Sequence, residues 1–167
     1  PMLAEVQALV APTPTEKPRR TTSGVDSSRV AMVLAVLQQH GGLPLHKQDV
    51  FVSTVGGARL NEPATDLAIA VALASAAHGR AAPSGIVAMG EIGLAGELRR
   101  VRDLPQRLAE AARLGFKYAV VPTERGSAQG RERNVDGLRV LEVGDIGSVL
   151  RLLGFTGHAS HTHARGD

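Results

Sequence analysis

The chain has 167 residues, 43% apolar and 21% charged, with a net charge of +3 and a pI near 9.9. That size suits one domain with a real core. No apolar run approaches the ~18 residues of a membrane span, no signal-peptide pattern opens the chain, and the absence of cysteine excludes disulfides and thiolate metal sites. A reducing cytoplasm is the expected compartment.

A strand is predicted over 4–10, almost at the first residue, so the chain is expected to be a piece of a longer protein. Residues 11–25, with Pro12, Pro14 and Pro18, are expected to be loop-like. Asp26 is placed to cap a helix over 27–40, in which Val30, Val33, Leu34 and Leu37 share one face, and Gly41 and Gly42 stop it. Asp49–Val55 is β-branched and aromatic, a strand, with a turn at Gly56 and Gly57.

Pro63 suits a first helical position. From Leu67 to Ala74 no side chain is polar, which predicts a central buried helix ending near Gly79. Ile86–Gly90 and Gly96–Val101 are expected to form a hairpin, followed by a helix over 104–114 that turns Leu104, Leu108, Ala111 and Ala112 inward. A buried strand over Tyr118–Pro122, a polar loop over 123–134, a strand over Arg139–Val143 and a last helix capped by Asp145 complete the order. The expected class is α/β (α+β), one domain over residues 1–155 with one mixed sheet. A disordered tail over 156–167 is expected, and its His158, His161 and His163 are not expected to bind metal.

Six strings carry a resemblance: Glu5–Val10, Gly24–Arg29, Asp49–Val52, Gly56–Arg59, Glu62–Ala68 and Gly90–Arg99. In this order they closely resemble the C-terminal domain of the RadA (Sms) family of bacterial DNA-repair proteins. That domain is similar to the proteolytic domain of Lon proteases. The resemblance implies the ribosomal protein S5 domain 2-like fold and a hexameric ring around DNA. It also implies further regions with a zinc finger and a RecA-like ATPase, hence zinc, ATP and magnesium outside this chain. No phosphate-loop motif occurs here, so no cofactor is expected in this segment.

The same resemblance lays the Lon serine over Ala64 and the Lon lysine over Pro105. Alanine has no hydroxyl to attack a carbonyl, and proline has no titratable group. Thr65 lies one residue on, about 100° around the helix. Arg107 stays protonated at neutral pH. Asp66 is read as a helix-terminal charge. A pseudo-protease is therefore expected, with an active Ser/Thr-type Lon-like peptidase as the alternative. A carboxylate pair, Glu91 and Glu97, is expected to be salt-bridged instead of catalytic.

The positive excess lies between Arg99 and Arg133, nearly all arginine, which suits phosphate. The candidates for contact with double-stranded or branched DNA are Arg19, Arg20, Arg59, Arg99, Arg100 and Arg102. Four aromatics, Phe51, Phe116, Tyr118 and Phe155, make no stacking platform for single strands.

Overall fold

Three short sheets and four helices make up the described residues, 2–124 and 131–156, of the computed structural model. The first sheet has the order β1 (Val6–Pro12), β3 (Gln48–Thr54), β2 (Arg20–Ser23). β1 runs antiparallel and β2 parallel to β3. The second has the order β4 (Ile86–Ala88), β7 (Tyr118–Pro122), β9 (Leu138–Val143), β8 (Glu132–Val135). Its first three strands are parallel and β8 is antiparallel. β5 (Glu91–Ile92) and β6 (Leu98–Arg99) form a two-stranded ribbon.

Helix α1 (Ser27–Gly41) starts where the Asp26 carboxylate accepts from the N–H groups of Ser28 and Arg29, and ends at Gly42 in the left-handed conformation. Helix α2 (Asp66–His78) follows a 3-10 turn over Pro63–Thr65 and ends at Gly79, also left-handed. Leu67, Ala70, Leu73 and Ala74 are fully buried. They join α1, the first sheet and α4 (Ile146–Leu153) in the larger core cluster. Helix α3 (Leu104–Arg113) covers the other face of β7 and β9, where Leu108 and Ala111 meet Val121, Leu138 and Val140.

Four expectations are corrected. Arg20–Ser23 is strand, not loop: its ladder lies beside Val50–Ser53, a partner no local pattern reveals. Ile86–Ala88 does not pair with the residues after Gly96. It pairs parallel with Tyr118–Val120, and only Glu91 and Ile92 form the hairpin, with Arg99 and Leu98. The sheets are three, not one mixed sheet. Glu132–Val135 is strand within the expected 123–134 loop; residues 125–130 and the histidines of the tail lie outside the described residues.

Gly24 shows why the first sheet closes where it does. Its φ is +79°, and a Cβ there would lie 2.5 Å from the Ala58 carbonyl and collide with the Thr54 hydroxyl. Leu60 N–H donates to the Gly24 carbonyl at 2.7 Å, which brings Arg59–Leu60 to the end of β2.

Candidate functional site

The first turns of α2 and α3 open on one cleft of about 410 Å³ whose lining includes Ala64, Thr65, Glu62, Gln106 and Arg107. Ala64 is fixed by its backbone: its carbonyl accepts from Gly90 N–H at 2.9 Å, while Leu67 N–H donates to the Gly90 carbonyl at 3.0 Å. The second bond satisfies a first-turn N–H that the helix cannot satisfy itself, and the first ties the turn before α2 to Gly90. A side chain at Gly90 would press on Leu67 and Pro122, so glycine permits the approach.

Thr65, Glu62 and Arg107 are engaged with one another or with nearby backbone. Thr65 donates its hydroxyl to the Glu62 carbonyl at 2.7 Å, within its own turn. Arg107 donates to Glu62 Oε2 at 2.8 Å and, through Nε, to the Arg102 carbonyl at 2.9 Å. The Arg107–Glu62 pair thus ties the start of α3 to the turn before α2. Among the described residues, neither histidine, lysine nor serine lines this cleft.

The strongest electrostatic feature lies just inside. Asp66 is fully buried, and Arg29 of α1 grips it with Nε to Oδ1 at 2.6 Å and Nη2 to Oδ2 at 2.5 Å. Oδ2 also accepts from Ile92 N–H at 3.1 Å, so one carboxylate joins α1, α2 and β5. Glu91 lies 4.0 Å from the same guanidinium. The hydrogen bond to Asp66 raises the Arg29 pKa above its ordinary value, with the Asp66 and Glu91 charges adding to it. Asp66 is therefore more than a charge at a helix terminus. The signal in the sequence was its place against the wholly apolar run from Leu67, since a carboxylate entering a core needs a cation.

Glu97 has a different environment. Its own backbone N–H holds its carboxylate below the usual range, with Arg99 at 3.0 Å adding to this. A side chain at Gly93 would occupy the space of that carboxylate. Glu91 and Glu97 thus face separate arginines, Arg29 and Arg99.

The six arginines do not form one patch. Arg20 is committed to structure, both Nη atoms donating to backbone carbonyls, those of Gln48 and of Leu45. Arg19 contributes its backbone N–H to Asp49 Oδ1 at 2.8 Å and leaves its side chain exposed. Arg20 opens β2 and Arg19 precedes it, so Arg20 lies four residues and thus about 13 Å along the strand from Gly24, beside which Arg59 sits. Arg59 is exposed on the rim of the cleft, Arg99 carries the exposed Glu97 pair, and Arg100 and Arg102 are exposed between β6 and α3.

These features define an α/β domain with one cleft between two helix starts and a buried ion pair behind it. The family described as "Subunit ChlI of Mg-chelatase" matches residues 24–125, and the chain belongs to that family. It is also similar to proteins named DNA repair protein RadA, as the motifs indicated. The relative from Mycolicibacterium smegmatis is 48% identical over 92% of this chain, and that from Streptococcus pyogenes is 44% identical over 90%. The relative from Synechocystis is 43% identical over 90%. The chain spans about a third of the length of these relatives, 31%, 33% and 29% respectively.

Proposed function

We propose that the chain is a non-catalytic domain of the Lon proteolytic type, serving as scaffold and DNA-contact module of a RecA-like DNA-repair motor. The names of its relatives support the repair setting. One observation carries the non-catalytic part. Where two helix starts share a cleft, acyl transfer needs a hydroxyl and a base in reach of each other. Here that place holds the Ala64 methyl and an Arg107–Glu62 ion pair, and the one nearby hydroxyl among the described residues, Thr65, donates to the backbone. Assembly into a hexameric ring with exposed arginines toward duplex phosphates is the use that such a frame retains. Contact of that kind is insensitive to base sequence, because no helix among the described residues is set to read base edges. Incubation with casein or a fluorogenic peptide is the test of the catalytic half: no turnover is expected, and turnover abolished by Thr65→Ala would refute it.

A further inference from the structure

The cleft at Ala64 continues into a second lobe of about 930 Å³, the two sharing Leu3, Val6, Ala68 and Val87 among their walls. Together they form a slot between β1 and β4, floored by α2. The floor is one helical stripe, Ala68, Val71, Ala72, Ser75 and Ala76, at the spacing of a single face. The walls are strand edges, not strand faces. The slot touches six consecutive residues, 3–8, and all three residues of β4. Alternate side chains point to opposite faces, so a surface that meets every residue in turn meets the backbone edge.

The ladder bonds show which groups those edges present. Val55 N–H donates to the Glu5 carbonyl and Thr13 N–H to the Lys47 carbonyl, so the odd-numbered residues of β1 turn their backbone toward β3. Ala4, Val6 and Ala8 therefore turn theirs toward the slot. On the opposite wall Met89 N–H donates to the Val120 carbonyl, so Val87 and Met89 face β7, while Ile86 and Ala88 face the slot. β1 and β4 are the outer strands of separate sheets.

We infer that this slot binds an extended polypeptide segment of a partner protein, which adds a strand along one or both edges. Two rows of outward backbone groups call for a ligand with its own regular donors and acceptors, and an extended peptide has them. The alanine-rich floor admits small or medium apolar side chains on alternate residues. Charge separates this ligand from DNA: the slot is lined by Arg59 and Arg107 against Glu5, Glu62, Asp103 and Glu110. Arg107 pairs with Glu62, and Glu110 pairs with Arg113 just outside, which leaves Glu5 and Asp103 against Arg59. A basic residue at the end of the peptide is favoured inside the slot and a polyanion is disfavoured there, while Arg59 on its rim stays open to duplex phosphates.

Binding is tested by fluorescence anisotropy with a labelled octapeptide, Lys-Ala-Val-Ala-Val-Ala-Val-Lys, against the same peptide N-methylated at alternate backbone positions. Saturable binding is expected. N-methylation that removes one to two backbone hydrogen bonds should weaken it about tenfold. Ala72→Arg, which fills the floor, and Ala88→Pro, which removes an outward N–H without touching the β4–β7 ladder, should weaken it similarly. Circular dichroism checks that each variant is folded, and the methylated peptide needs no variant at all. Absence of saturable binding, or equal binding of the methylated peptide, overturns the inference and leaves the DNA role intact. Cleavage of the bound peptide instead supports the slot while refuting the non-catalytic reading.

Discussion

Replacing Arg29 by methionine removes the cation from a carboxylate that has no access to water. Met keeps much of the packing volume, so the change isolates charge. Loss of one partner of a buried ion pair costs about 3–5 kcal/mol, because the other charge is left uncompensated. For a domain of this size, each kcal/mol lowers the melting temperature by about 2–4 °C, so the expected fall is about 6–20 °C. The Ile92 N–H bond to Asp66 remains and moderates the loss toward the lower end. The double variant Arg29→Met, Asp66→Leu removes both charges and should be more stable than Arg29→Met, remaining about 1–3 kcal/mol below wild type for the orphaned Ile92 N–H. Urea unfolding of the wild type, both single variants and the double variant gives the coupling directly. If Arg29→Met costs less than about 1 kcal/mol, the pair behaves as a surface ion pair, and Asp66 is not the buried tie between α1, α2 and β5.

Other consequences are as direct. Gly24→Ala should destabilise by more than the roughly 1–3 kcal/mol of a strained backbone, since its Cβ also collides with Thr54 and crowds the Ala58 carbonyl; thermal melts check this. Arg20→Ala should lower unfolding stability and leave the salt slope of duplex binding unchanged, because its guanidinium holds the carbonyls of Leu45 and Gln48; a changed slope would return it to the DNA-binding set. Asp49 accepts from Arg19 N–H and the Thr13 hydroxyl, and these bonds hold its carboxylate below the usual range. A depressed folded value contributes stability above the unfolded value of about 3.9, lost as pH falls through the folded one. Asp49→Asn should therefore be less stable than wild type at neutral pH, and the difference should narrow below about pH 4. Urea midpoints from pH 7 to pH 2 measure it, and a gap that widens in acid contradicts the assignment.

Local chemistry was legible in the sequence. The Asp26 cap, the apolar run from Leu67, the Gly42 and Gly79 stops and the β7 strand follow from neighbours within a turn or two. What escaped depends on partners far along the chain. β2 is four residues long and gains its strand character only beside β3. Ile86–Ala88 has the same apolar look in a hairpin as in a parallel sheet, and its true partner starts at Tyr118. Arg29 and Asp66 are 37 residues apart, and nothing around Arg29 marks it as the cation a buried carboxylate must find. The split of the arginines was equally hidden, since Arg20 turns to backbone carbonyls that only the fold brings near.

Duplex binding by this chain across a salt series tests the proposed role most directly. The expected result is sequence-independent binding whose log–log salt slope falls by about one unit for each arginine–phosphate pairing removed when Arg59, Arg100 and Arg102 are changed to alanine. No binding at low salt, or a slope unchanged in the triple variant, would contradict the assignment of these residues to DNA.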